Sequence, residues 1–307
     1  MNRLIIAASF VAALVTLGCK KEKTAPPPPE LAVTMIDSGD APREPLRYAI
    51  APGTVVQSIL EIRSVDEAHE RTEKSQNAFG VLPGFRLLLR AGPTVLQAKG
   101  ARYVLRISKA DSILPEGVTE RQAEEVERGI QVLRGMRGRF DINEQGIVID
   151  ADVPWAQGHQ ALHPRIAITI GNVRSAIATI PVPNEPVGVG AIWEVRRPLR
   201  IWSARVTQVT RYQLTDRAGD RFRVAVTVDQ VAAPQVADLN PDLEMRVRSY
   251  EMHARGHVLA DLGLPLALEA SLESHSAADI ALVSPEATEH LTSSRRSVLR
   301  LVSKSER

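Results

Sequence analysis

The sequence predicts a β-rich α+β chain, with long antiparallel strands forming a curved sheet or half-open barrel and one or two packed helices. Three observations predict it. Runs of alternating apolar and polar residues recur along the chain, led by Arg221-Phe-Arg-Val-Ala-Val-Thr-Val-Asp229. That alternation marks an antiparallel sheet with one buried face. Only two stretches carry helical spacing of apolar residues. Cys19 is the only cysteine, and hydrophobic residues make up 44% of the 307. With no second thiol for an internal disulfide, the fold must rest on an apolar core.

The elements follow in order. Leu46-Arg-Tyr-Ala-Ile50 alternates, Pro52-Gly53 marks a turn, and 54–62 reads as the next strand. Residues 66–80 are polar and little periodic, which predicts a loop or a short exposed helix. Further strands fall at 85–89 and 103–107, separated by Gly92-Pro93 and Lys99-Gly100. The first helix starts at Thr119 with Gln122 as its capping-box partner. Ala123, Val126, Ile130 and Leu133 form its apolar face. A hairpin follows, with strands at 138–142 and 147–153 around Asn143-Glu-Gln-Gly146. The second helix opens at Pro164 after His163, with Ile166, Ile170, Val173, Ile177 and Ile180 on one face. Ile166, Ile168 and Ile170 also alternate, so a strand competes there.

Pro181-Val-Pro183-Asn-Glu-Pro186 breaks any regular element and is the best boundary within the body. Strands then dominate, at 191–195, 201–214, 222–231, 244–259, 266–272 and 297–302. Residues 215–220 form a polar hairpin loop and Asn240-Pro241 a turn. The body thus divides into an N-terminal α+β part, 46–180, and a C-terminal antiparallel part, 181–307, the two being separate or continuous.

The N-terminus has its own logic. Arg3 precedes an apolar run, Leu4 to Val15, which ends in Leu17-Gly18-Cys19 and switches at once to Lys20-Lys-Glu-Lys23. The run is short for a membrane span, which needs about 20 residues. Residues 1–18 resemble the signal peptide and lipobox of bacterial lipoproteins. The resemblance implies that Cys19 becomes the acylated first residue and that acyl chains join the protein to a membrane. Lys20, where an inner-membrane retention signal has Asp, favours the outer membrane by the same resemblance. Residues 19–45, rich in Lys and Pro, read as a tether extended by the Pro26–Pro29 run. Val187-Gly-Val-Gly-Ala-Ile-Trp-Glu-Val195, with Gly256-His-Val-Leu-Ala-Asp261 and Leu262-Gly-Leu-Pro265, resembles segments of lipoproteins of the myxobacterial type. That resemblance covers roughly the last 130 residues and implies no activity and no site residues. The order of elements is similar to the half-open barrels of bacterial lipoprotein carriers.

No reaction is written in the motifs. A formal charge of +2, partly carried by the signal segment, gives no draw toward nucleic acid. Asp141, Asn143, Gln145, Gly146 and Asp152 overlay a calcium-loop pattern, but Ile147-Val-Ile149 continues as a strand where a loop should wrap the ion. His159 with His163, and His253 with His257, stand four apart without the further ligands zinc needs. No Gly-x-Ser-x-Gly elbow, Ser-x-x-Lys set or phosphate-binding Gly-x-x-x-x-Gly-Lys loop is present. Gly188-Val-Gly190, a fragment of a dinucleotide pattern, precedes a strand. Asp150 and Asp152 share one strand face and read as a solvated edge. Trp193 and Trp202 fall on strands and are expected in the core, whereas Trp155, after Pro154, is a candidate for a ligand mouth. No catalytic residue, metal or cofactor is assigned. The expectation is a non-enzymatic, lipid-anchored envelope protein that binds an apolar ligand, lipid or envelope component. The alternatives are an assembly partner of an outer-membrane complex and, behind it, a hydrolase whose site forms only in three dimensions.

Overall fold

A computed structural model of the chain describes residues 31–306, apart from 52, 72–83, 98–99, 115–117, 132, 153–178, 202–203, 241–242 and 285–287. Among them are thirteen strands and one helix. The strands are β1 (Ala32–Asp37), β2 (Val55–Arg71), β3 (Gly84–Gln97), β4 (Gly100–Ile113), β5 (Arg137–Ile142), β6 (Val148–Asp152) and β7 (Ile192–Ile201). They continue with β8 (Ala204–Ala218), β9 (Arg221–Ala232), β10 (Gln235–Asn240), β11 (Leu243–Asp261), β12 (Glu269–Val283) and β13 (Thr288–Glu306); α1 spans Glu120–Gln131. Among the described residues no helix is long and apolar enough to cross a membrane.

All thirteen strands join one antiparallel sheet in the order β1-β7-β8-β9-β11-β12-β13-β2-β3-β4-β5-β6, with β10 beside β9 on the same side of β11. The sheet is open, with β1 and β6 as its edges. The pairing of β2 with β13 runs from Val55 to Arg71 and interlocks the N- and C-terminal parts, so residues 31–307 cluster as one compact unit.

The sheet is also strongly curled. Flat, it would put β5 nine strand spacings from β7, about 43 Å at ~4.8 Å each. Yet the Trp193 indole on β7 donates to the Pro181 carbonyl at 2.8 Å, and the next residue, Val182, donates its N–H to Gln145 in the β5–β6 turn at 2.9 Å. One side chain and two residues reach no further than about 15 Å. The concave face therefore encloses an interior, and the period-2 pattern fills it. Leu60, Leu87, Leu89, Leu105, Tyr103, Trp193, Leu214, Phe222, Val224 and Leu301 point inward from seven strands and are buried.

Several expectations change in the structure. β1 lies inside the stretch expected to be tether, and it pairs with β7 from Ala32 to Asp37. Residues 46–50 alternate as read, with Leu46, Tyr48 and Ile50 buried, but they join no ladder. They run instead as an extended strap, held by Tyr48 N–H to Glu144 O at 2.8 Å and Ala49 N–H to Leu262 O at 2.9 Å. Alternation records which side chains face the core and says nothing of whether a neighbouring strand exists. The polar stretch after Val65 continues β2 as far as Arg71, because β13 supplies a partner for its backbone. Gly92-Pro93 lies within β3, where a register shift between Pro93 and Val95 accommodates the missing N–H. Residues 266–268 precede β12, which starts at Glu269, and β13 starts nine residues before the expected 297. The first helix forms as expected, with Ala123 N–H bonded to Thr119 O and Ile130 and Leu133 buried. The β5–β6 hairpin also forms. The second helix lies outside the described residues up to 178, and Thr179 and Ile180 have no regular structure.

Candidate functional site

Seen from the concave side, the inward residues of β7, β8, β9, β11, β12 and β13 form successive cross-strand rows. The rows built on Trp193-Tyr212-Val226 and Leu214-Val224-Val258 belong to the main core, which the strap and α1 help to cover. At the other end lies a second apolar cluster: Ala204, Val206, Ala232, Ala237, Met245, Val247, Ile280 and Leu291, with Ile201 and Tyr250 against it.

Between the two runs a polar belt. Register places Arg197, Gln208, Gln230, Met252, Ser276 and Arg295 side by side across six strands. The row below it, toward the main core, contains Thr210, Val228, Ala254, Ser274, Ser297 and Ser64, mostly small side chains. Gln208, Gln230 and Thr210 are buried, while Arg197, Tyr250, Ser276 and Arg295 remain half-buried.

The belt is internally bonded. The Gln208 amide lies 2.9 Å from the Thr210 hydroxyl and 2.8 Å from the Gln230 amide, and the Tyr250 hydroxyl lies 2.9 Å from Gln230. A guanidinium only donates. The orientation that gives Arg197 an acceptor therefore turns the Gln208 oxygen to its guanidinium at 3.1 Å. Burial pushes the Tyr250 hydroxyl up to about 12, with the nearby Arg295 charge pulling the other way. Burial likewise raises Tyr212, against the pull of Arg197. Chemically, the belt offers amide, hydroxyl and guanidinium groups on a wall that is apolar above and lined below by small, mostly hydroxyl-bearing side chains before the main core begins. That suits the polar part of an amphiphile.

Sequence reasoning missed this belt, although its signal was present. Val206, Gln208, Thr210 and Leu214 share one phase of β8. Phe222, Val224, Val226, Val228 and Gln230 share one phase of β9. Both glutamines therefore stand on the core side of their strands, where polar residues require partners.

The residues singled out in the sequence scatter. Cys19, Trp155, His159, His163 and Trp202 lie outside the described residues. Trp193 is fully buried, its ring stacked on Tyr212 with centroids 5.5 Å apart. The calcium-loop residues serve the hairpin instead. Asn143 Oδ1 accepts from Gln145 N–H and Ile147 N–H, at 3.0 and 2.9 Å, and Gly146 takes φ 72°. Asp141 receives both arms of Arg102 at 2.7 and 2.6 Å, which hold its carboxyl below the usual range despite partial desolvation. Asp150 pairs with Arg139 at 3.2 Å.

His253 and His257 sit on the outer, convex face of β11. His253 Nδ1 is 2.7 Å from Asp229 Oδ1, and His275 stands opposite it on β12. No group of three metal-ligating side chains is assembled among the described residues. Among the described residues no serine or threonine hydroxyl is hydrogen-bonded to the His253 ring. Nearby, Ala225, Gly256 and Ser271 leave an open depression of about 480 Å³ rimmed by Arg255, His257 and Glu273. No protein-family model matches this chain, and no curated protein matches it significantly.

Proposed function

We propose that this chain is a non-enzymatic, lipid-anchored protein of the cell envelope, held at the outer membrane through Cys19, that binds an amphiphilic lipid or envelope component inside its curled sheet. The N-terminal sequence supports the anchor. The observation that carries the binding reading is the polar belt of buried Gln208 and Gln230 with half-buried Arg197, Tyr250 and Arg295, set between two apolar clusters. A wall required only for stability is better served by apolar side chains, because each buried polar group must recover its lost hydration. The test is extraction and mass spectrometry of lipid from the full chain purified out of a bacterial envelope. About one acyl-bearing molecule per chain is expected, and its absence would sink the reading.

A second reading, an assembly partner of an outer-membrane complex, is favoured by a different observation. The second apolar cluster encloses only about 10 Å³, room for one water molecule at most, so a tail can enter only if the cluster opens. Both edge strands also lack a ladder partner on their outer side among the described residues, which leaves backbone groups for another chain to pair with. Capture of a defined envelope protein without lipid, lost when Pro replaces Ile149 on β6, is the outcome that distinguishes it.

A further inference from the structure

The convex face carries a second feature, independent of the interior. Register sets Lys304 of β13, Gln57 of β2, Arg90 of β3, Arg106 of β4 and Arg137 of β5 side by side in one row. Arg90 and Arg106 are direct cross-strand partners, and so are Arg106 and Arg137. All three are exposed. Like charges directly opposite on neighbouring strands, about 5 Å apart, destabilise a sheet.

Most of the nearby carboxylates are engaged with other cations. Glu61 binds Arg63 and Arg86, Asp111 binds Lys109, Asp141 binds Arg102 and Asp150 binds Arg139. Neither Arg106 nor Arg137 forms an ion pair among the described residues.

The adjoining row is aliphatic and open. Ile59 and Val302 are cross-strand partners exposed to 50% and 58%, and Leu88 stands next to Ile59. Ile59 is two residues from Gln57 on β2, and Val302 is two from Lys304 on β13, so the aliphatic pair and the cationic row share one face. Exposed aliphatics beside exposed cations suit the boundary of a bilayer, where phosphates meet acyl chains.

We propose that this row and its aliphatic neighbours form a docking surface for a bilayer bearing anionic phospholipid headgroups. Arg90, Arg106 and Arg137 donate to headgroup phosphates, and Ile59 and Val302 rest on the glycerol and upper acyl region. The inference stands whether or not the interior binds a ligand.

The test uses the full chain with vesicles of phosphatidylcholine alone, or with about a quarter phosphatidylglycerol. Arginine-specific labelling, read by peptide mass spectrometry, is expected to fall several-fold at Arg106 and Arg137 with the anionic vesicles only. Arg205, seven strands away on β8, should label equally in both. In flotation, each headgroup-facing cation should contribute about fivefold at low salt. Replacing Arg90, Arg106 and Arg137 together by Gln should remove the phosphatidylglycerol-dependent gain, on the order of 100-fold. The same variant should melt at or above the parent temperature, because the repulsion is gone.

Equal labelling of the row with both vesicle types would overturn the proposal. So would a triple variant that floats like the parent, or protection by soluble heparin but not by anionic vesicles.

Discussion

Trp193 donates its indole N–H to the carbonyl of Pro181 at 2.8 Å while its ring stacks on Tyr212. The contact joins β7, next to one edge of the sheet, to the segment that bonds to the β5–β6 turn at the other. It thereby helps fix how far the sheet curls. The strap completes the join, because Arg47 donates to Pro183 O and Asn184 O at 2.9 and 2.7 Å. A Trp193→Phe variant loses buried ring area and leaves the Pro181 carbonyl without its donor, a cost of about 2–4 kcal/mol. Urea unfolding measures it. A cost under about 1 kcal/mol would mean the curl is held elsewhere.

All four tyrosines of the chain titrate abnormally. Burial raises Tyr48, Tyr103 and Tyr212 above the ordinary phenol value and takes Tyr250 to about 12. A raised folded-state value contributes stability that is complete below the unfolded value near 10 and is lost as pH climbs through the folded one. Tyrosinate absorbance should therefore stay flat through pH 10 and then rise cooperatively with loss of the far-ultraviolet sheet signal. Gradual ionisation of even one tyrosine near pH 10 in folded protein would contradict the burial assigned here.

The acid limb has the opposite sign. Arg102 lowers Asp141, and Arg86 with Arg63 lowers Glu61. Stability from both is present above the ordinary carboxylate range and fades as pH falls below it through the depressed values. Asp141→Asn should flatten the stability profile below about pH 4, and should cost more at pH 7 than at pH 3. The two costs being equal would remove the Arg102 pair as the cause.

The fold class was legible because it depends on period and on breaks, both local. Phe222, Val224 and Val226 announce a one-sided strand without reference to any neighbour, and Thr119 announces a helix start. Strand ends were less legible. β2 runs past Val65 only because β13 lies beside it, a fact encoded more than 200 residues away. Strand register, which no local pattern records, also hides the two functional candidates. Gln208 and Gln230 show an inward phase in the sequence, but only register joins them into a belt. Arg90, Arg106 and Arg137 read as ordinary solvated charges until three strands are laid side by side. The N-terminal anchor, by contrast, is read from sequence alone, since Cys19 lies outside the described residues.

The belt makes a prediction that separates role from stability. Replacing Gln230 alone by Leu strands the Gln208 amide and the Tyr250 hydroxyl, at a cost of about 1–3 kcal/mol. Replacing Gln208 and Gln230 together by Leu removes both buried amides and should restore most of that loss. If the belt holds a ligand's polar part, the double variant folds yet recovers much less lipid on extraction. Parent-like lipid content in the double variant would release the belt from that role.

Gly256 tests the middle of the sheet. It sits on β11 between Arg255 and His257, opposite Ser271 and Leu272 of β12. A Cβ there would overlap the Ser271 carbonyl oxygen and lie 2.9 Å from Leu272 Cα, both backbone atoms that cannot swing aside. The two strands therefore approach this closely because the position has no side chain, as at a tight bend of a barrel wall. Gly256→Ala should force β11 and β12 apart and cost about 3 kcal/mol or more. Gly92→Ala provides the contrast, since its methyl would meet Val55 and Thr54 at ordinary contact distances of 3.5 and 3.6 Å. That change should cost under about 1 kcal/mol. With both variants measured by the same denaturant titration, similar costs would show that the close approach at Gly256 does not constrain the bend, and a large difference would locate the bend at this residue.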